Sequence, residues 1–349
     1  LLSRRNHAVI AGDDDQALYS QLRGSDPRFI RQLRAGGNYV TFPLPFCMRC
    51  TEVIVGAVND VIEGALAAGF LRERIDKPYR YYPPAKQADS DVYRKIRVVQ
   101  TTIQRLGAGN YFGRYVLDEL SRIPRGEIDE SHEGRFPTVL VIASNPYRGQ
   151  VVQHLQLNGY TVQTTEATEP WDLERPDGLR ILRGEGESNL GWRIILETDR
   201  PAGWEDLISR SVREGIQLVD VVGSEFRQAV LGEARAIGEE VLPAEPLEVE
   251  AGRPSIMATS FEGAKGLSAQ HVFIVGLHSG ELPRDPVNIH DLEICKFVVA
   301  LTRTRKQCHI LYTTHFGNMA KRASVFLRWI EGSRVQRVRV DRNYWAVPF

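Results

Sequence analysis

The sequence predicts an α/β fold in which a parallel sheet carries helices on its faces. Three observations predict it. Residues 136–160 and the strand after them read as strand, helix, strand: a continuous apolar run at 138–143, a helix opened by Pro146 and closed at Gly159, and a second strand at 161–164. That alternation requires parallel neighbours joined by a crossover helix. The same alternation returns after residue 254. Between the two, residues 177–242 read as mostly helical, the mark of a subdomain inserted into an α/β domain.

Taken in order, residues 7–11 are a short apolar run entering Gly12, the pattern of a buried strand meeting a loop. Residues 27–33 predict a short helix, Gly36-Gly37 breaks it, and 39–42 predict a strand. From Thr51 to Leu71, Val53, Ile54, Ala57, Val58, Val61, Ile62 and Leu66 recur at helical spacing. Residues 76–94 are rich in Pro, Tyr and charge, with Pro83-Pro84 inside, and predict a loop. A strand at 96–100 and a helix at 111–123 follow. Residues 125–135 are polar and predict a mobile connection. Pro146 suits a first helical turn because its φ is already fixed there, and Gly159 suits the helix end.

Within the helical block, segments 179–182, 190–196, 204–213 and 224–240 carry the periodicity. A Pro/Glu-rich connection spans 243–254. Strands are predicted at 256–258, 271–275 and 308–312, and helices at 291–304 and 324–330. No internal repeat is evident.

Composition narrows the function classes. The 349 residues, 42% of them hydrophobic with 30 Gly and 18 Pro, suit two domains or one with a substantial insertion. Forty-four basic residues balance 44 acidic ones, so overall charge does not mark a nucleic-acid binder. A DNA-contacting surface would have to be a local stripe, for which 303–306 and Lys321-Arg322 are candidates beside the plainer reading as solvated faces. No apolar run has the length of a membrane span, and no signal peptide opens the chain. The four cysteines are Cys47, Cys50, Cys295 and Cys308. So few in a long chain suit buried thiols in a reducing, cytoplasmic setting. Cys47 and Cys50 form a C-x-x-C, but a metal site would need two more ligands nearby, and none is expected.

Three separated stretches carry chemistry. The first is AVIAGDDDQALYSQLRG at 8–24. The second is ATSFEGAKGLSAQHVFIVGLHSGELP at 258–283, and the third is VVALTRTRKQCHILY at 298–312. An acidic turn, an Ala-Lys-Gly-Leu or a helix with a basic end is weak evidence alone. In this order they resemble motifs III, V and VI of the UvrD/Rep-type superfamily 1 DNA helicases. Residues 46–51, F-C-M-R-C-T, with Ala57 and Asn59 beyond, resemble motif IV. The resemblance is specific at both ends of the chain, while residues 76–250 carry only the expected pattern of elements.

The resemblance implies a RecA-like second helicase core with a small helical insertion and a remnant of the first core. The implied domains are 1–37 for the remnant with motif III, 38–176 with 251–349 for the second core, and 177–250 for the insertion. It implies catalytic roles for Arg303, Arg49 and Gln16. Arg303 and Arg49 would reach the γ-phosphate of ATP, where an arginine's fixed charge and forked donors suit transition-state charge. Gln16 would sense the same phosphate. ATP would be held with help from Lys265, Gly266 and Ser268. Single-stranded DNA would be contacted by Tyr19, whose ring could stack on a base, and by Arg23, Thr259, Gly263 and Lys265.

The departures are specific too. Leu22 stands where the family has Trp, Met48 where an aromatic ring stacks on adenine, Phe261 for His, Ser268 for Glu and Val298 for Tyr. No G-x-x-x-x-G-K-[ST] occurs, and Asp118-Glu119, the one acidic pair resembling a magnesium site, follows motif III and is expected on the surface. The Mg²⁺ ligands are therefore expected outside this chain. The expectation is the C-terminal part of an ATP-dependent DNA helicase, translocating 3′→5′ in repair or recombination, with its ATP-gripping half upstream of Leu1 and no ATPase of its own. The alternative is a helicase-derived, non-motor protein that binds DNA or a partner. A nuclease–helicase subunit is a further rival, but no nuclease-like carboxylate and lysine cluster is evident.

Overall fold

The computed structural model describes residues 10–16, 28–35, 40–105, 109–165, 175–236 and 252–345. The chain divides into two compact units, one of residues 12–167 with 247–349 and one of 1–11 with 168–246.

The first unit is α/β. After helix α1 (Arg28–Ala35), a two-residue strand β1 (Phe46–Cys47) pairs in parallel with β2 (Arg80–Tyr81), and helix α2 (Glu52–Ala67) lies between them in sequence. Helix α3 (Pro83–Val92) leads into β3 (Ile96–Gln104), followed by α4 (Tyr111–Leu120) and α5 (Arg125–Glu133). Then come β4 (Val139–Ala143), α6 (Asn145–Leu157) and β5 (Val162–Thr165). After residue 252 the order is β6 (Ile256–Thr259), β7 (Ala269–Val275), α12 (Asp291–Thr302), β8 (Thr304–Phe316), β9 (Met319–Ala320) and β10 (Val335–Val340). The main sheet runs β10-β3-β8-β7-β4-β6-β5, every pair parallel, with β9 antiparallel on β8. The expected α/β architecture, a mostly parallel sheet with flanking helices, is therefore the one observed.

Its core has two sides, and the pleat decides which residue goes where. Leu140 and Ile142 of β4, Val272 and Ile274 of β7 and Ile310 of β8 pack with α2 and α12. Val139, Val141, Ala143, Phe273, Val275 and Leu311 face the opposite layer, with α4 and α6. Strands β4 and β7 are buried at every residue, which is why they read as unbroken apolar runs. Helix α2 buries Val53, Ile54, Ala57, Val58, Val61, Ile62 and Ala65. At Gly276, which follows β7 at φ +79°, an added Cβ would sit 2.5 Å from the Tyr147 ring, so both conformation and space require glycine.

The second unit is described by its helices α7 (Arg175–Gly184), α8 (Asn189–Asp199), α9 (Trp204–Glu214), α10 (Leu218–Val221) and α11 (Ser224–Ala236). They surround Trp192, whose indole N–H donates to Gly186 O at 2.9 Å, with Leu182, Ile195, Leu196 and Val230. Arg175 binds Asp199 at 2.7 Å and also Glu233, tying α7 to α8 and α11.

Several expectations are corrected. Residues 76–94 are not one loop. Pro83 and Pro84 occupy the first positions of α3, where a missing N–H costs no helical bond. Residues 125–135 are not a mobile connection but contain α5, which buries Glu127, Ile128 and Ser131. Glu119 is not on the surface; it is buried and paired with Arg97 at 2.5 Å and Arg122 at 3.1 Å. Residues 40–45 form no strand, and Val40, Phe42 and Leu44 are exposed. Ile10 and Ala11 are exposed and outside any strand, and the rest of that expected strand lies outside the described residues. The 324–330 segment is a 3₁₀ turn at Val325–Arg328. Strand β10 escapes sequence reasoning because its exposed face is polar.

His278, in the loop after β7, is fully buried. Its Nε2 accepts the Thr313 N–H at 2.8 Å. Burial, then the charge of Lys321, outweigh Glu281 and hold the imidazole near pKa 4. The unfolded state takes up this proton first, so the stabilisation is complete above pH ~6.5 and is lost as pH falls toward 4. Urea unfolding of wild type against His278→Gln, which keeps an acceptor but does not titrate, should differ in slope across that window. The full difference is on the order of 3 kcal/mol. Parallel pH curves for the two proteins would contradict the assignment.

Candidate anion site

The site is built where α2 and α12 meet the start of β8. Thr51 is the N-cap of α2, but its hydroxyl does not cap the helix. It donates instead to Lys306 O at 3.3 Å, and the Cys50 thiol lies 3.6 Å from Thr302 O. These two contacts hold the C-M-R-C-T segment against the junction of α12 and β8. Arg49 is half-buried, and its Nε is buried without a hydrogen-bond partner.

Arg303 caps α12 and directly precedes β8. It is 3% exposed and turned inward. Its Nε donates to Val299 O at 3.0 Å, Nη1 to Leu267 O at 3.1 Å, and Nη2 to the Thr302 hydroxyl at 3.0 Å. Its own carbonyl accepts from Ala269 N at 3.0 Å. Arg303 thus ties the 260–268 turn to the end of α12. Burial, and then the neighbouring positive charge of Arg49, lower its pKa to about 10. It remains protonated at neutral pH. Among the described residues, neither arginine has a carboxylate ion-pair partner, although both stand in a half-buried to buried setting where charges are normally paired.

The 260–268 turn is shaped by its own side chains. Ser260 Oγ accepts from Gly263 N at 3.0 Å, and Glu262 pairs with Lys296 of α12 at 2.5 Å. Gly266 has φ +89°, a conformation costly for other residues. Lys265 and Gly266 are exposed and Ser268 is half-buried. Thr259, the last residue of β6, is fully buried with an unpartnered hydroxyl.

The Gly12–Gln16 segment is also fixed, by charge. Asp14 and Asp15 are 1% and 2% exposed. Arg74 meets Asp15 at 2.8 Å, and Arg31 meets Asp14 at 3.1 Å. Lys77 reaches all three aspartates, at 2.7 Å from Asp13 and 3.2 Å from Asp15. Tyr79 donates to Asp13 and Asp15. Burial would raise the Asp14 pKa, but Lys77, the Ile75 N–H and Arg31 outweigh it and lower it. Gln16 Nε2 donates to Asp13 Oδ2 at 2.8 Å. The three carboxylates lie close enough to suggest a metal, but three cationic side chains and a phenol already fill their lone pairs, so the cluster does not fit Mg²⁺. Among the described residues no cysteine belongs to a metal-ligand group.

The structure therefore gathers Arg49 with Arg303, and Arg303 with the Gly263–Ser268 turn. Gln16 is held by Asp13, whose charge reaches Arg303. Tyr19 and Arg23 lie outside the described residues. The two expected basic stripes do not form. Arg303 is buried, Lys306 is 6% exposed and bound to Glu130 at 2.7 Å, and Lys321 pairs with Glu281 at 3.2 Å. Sequence reasoning missed the Arg31, Arg74, Lys77 and Tyr79 cage. Its signal was the charge and aromatic content of residues 72–79, which reads as a solvated loop.

No protein-family model matches the chain, and no curated protein does. Among solved structures, one described as S. cerevisiae Dbp5 bound to RNA and ADP BeF3 is similar over 80% of this chain, at 10% identity and a TM-score of 0.29. The match covers 55% of that chain. At that TM-score the likeness adds nothing to the architecture read from the strands.

Arg74→Met would leave Asp15 buried beside only Lys77 and Tyr79. It should destabilise the protein by about 3 kcal/mol, the lower end for breaking a buried pair. Asp15→Asn in the same chain should recover much of that loss. Urea denaturation of the single and double variants measures it. A change below about 0.5 kcal/mol would place Asp15 in a solvated setting, where such pairs contribute little.

Proposed function

We propose that this chain supplies the second core of a UvrD/Rep-like, ATP-dependent nucleic-acid motor. The observation that carries the reading is the Arg49–Arg303 neighbourhood. Two guanidiniums far apart in sequence stand close enough for one to depress the pKa of the other, with no carboxylate paired to either among the described residues. A polyanion placed there would relieve that repulsion and satisfy the Arg49 Nε donor. The motif order supports ATP as the anion, with Mg²⁺ held by residues outside this sequence. The parallel sheet supports a RecA-like core.

In the motor, ATP would sit between this core and one that carries a phosphate loop. Arg49 and Arg303 would stabilise charge on the γ-phosphate, and Gln16 would report its presence. The Gly263–Gly266 turn and Tyr19 would contact single-stranded DNA. The helicase-derived, non-motor reading draws support from one observation, the inward hydrogen bonding of Arg303, which would have to be given up to reach a nucleotide.

The 349-residue chain alone should show no ATPase with or without single-stranded DNA, because it lacks a phosphate loop. In a protein that joins it to such a core, Arg49→Ala should leave ATP binding largely intact and slow hydrolysis by about 10³-fold. Arg303→Ala should do the same and also lower stability, since three buried hydrogen bonds are lost. Arg49→Ala is thus the cleaner test, and hydrolysis near wild type in that variant would remove the motor reading.

Fluorescence anisotropy with a labelled oligonucleotide tests the DNA contacts. Binding should prefer single strands and weaken with salt on a shallow slope, because few phosphates are touched. Tyr19→Ala should cost about 1–3 kcal/mol in the joined protein if a base stacks on the ring. An unchanged affinity would take Tyr19 out of the DNA path and favour the non-motor reading.

A further inference from the structure

We propose that Cys47 and Cys50 are a redox-active dithiol, with Cys47 the attacking sulfur and Cys50 the resolving one. The proposal does not rest on the motor reading. Cys47 is the last residue of β1 and is half-buried, so a small reagent can reach it. Cys50 is 1% exposed, one residue before the N-cap of α2. The bend at 48–50 brings the two sulfurs into hydrogen-bond contact. Their separation therefore needs only a modest change to reach a bonded S–S length.

The surroundings treat the two thiols oppositely. The Cys50 thiol donates to Cys47, the Cys50 and Arg49 backbone N–H groups point at the same sulfur, and the Arg49 charge adds to them. Together these overcome burial and pull the Cys47 thiol down to about 5. Cys50 is pushed well up by its hydrogen bond to Cys47 and by burial. One accessible thiolate beside one buried, protonated thiol is the arrangement that thiol–disulfide exchange uses. Cys295 and Cys308 are buried, and burial raises both thiols to about 12, so they stay inert.

The reaction balances with a low-molecular-weight disulfide, such as oxidised glutathione, as oxidant. The Cys47 thiolate attacks one sulfur of the disulfide, forming a mixed disulfide and releasing one glutathione thiolate. That thiolate takes the Cys50 proton. The Cys50 thiolate then attacks Cys47 Sγ, the Cys47–glutathione bond breaks, and a second glutathione thiolate leaves. Two electrons pass from the protein pair to the glutathione disulfide. The product lacks the Cys47 negative charge that stands beside Arg49 and Arg303.

Two measurements on the wild-type chain test this. The first is the rate of Cys47 alkylation by iodoacetamide against pH, read by peptide mass spectrometry. Its midpoint should lie near 5, far below an ordinary thiol at ~8.5. The second is equilibration in mixtures of reduced and oxidised glutathione, followed by acid quenching and alkylation. Two of the four thiols should be lost together, with Cys47 and Cys50 joined within one chain while Cys295 and Cys308 stay alkylatable. In Cys50→Ser the same treatment should stop at the Cys47–glutathione adduct. An ordinary alkylation midpoint, or a wild-type protein that accumulates only the adduct, would overturn the proposal.

Discussion

Everything at the candidate site depends on how α2 and α12 share one face of the sheet. Both helices pack on the layer formed by Leu140, Ile142, Val272, Ile274 and Ile310. That burial, roughly 1.5–3 kcal/mol for each large side chain, fixes where the two helix ends meet. Arg49 precedes one helix and Arg303 ends the other. Without the shared apolar face nothing would hold two guanidiniums near each other, since their direct interaction is repulsive. The hydrophobic layer supplies the energy that keeps an electrostatically unfavourable pair in place, which is how a fold stores capacity for an anionic ligand.

Arg303 has a second consequence. Its guanidinium bonds to Val299 O, Leu267 O and Thr302 Oγ1, so it connects α12 with the turn that leads into β7. A change in its position would be felt at once by the Gly263–Ser268 turn. The Asp13–Asp15 cage works the other way. With Arg31, Arg74, Lys77 and Tyr79 in contact, it is neutralised from within, and it anchors Gln16 instead of binding a cation. One acidic cluster is satisfied and one basic pair is not, and that contrast marks the basic pair as the binding feature.

The strands and helices of the sheet are legible in the sequence because they follow strong patterns. Strands β4 and β7 are buried on both faces and read as apolar runs, and α2 carries its apolar residues at helical spacing. What is illegible has physical reasons. Pro83-Pro84 signals a turn and a helix start equally well until tertiary packing decides. Helix α5 looks polar because it buries Glu127 in bonds to His271 and Tyr93 rather than burying apolar surface. The site is legible at the level of residue identity, through Arg49, Arg303 and the glycine turn. Arg303's inward hydrogen bonds, and the cations caging the aspartates, arise from contacts between segments distant in sequence, which no local pattern encodes.

The central claim is that Arg49 and Arg303 form an anion site. The most direct measurement is phosphorus NMR of inorganic triphosphate titrated with this chain and with its Arg49→Ala variant. Selective broadening and a shift of the triphosphate signals by the wild-type chain, suppressed by added salt and absent in the variant, is the result the account predicts. Equal broadening by both proteins, or none by either, would contradict it.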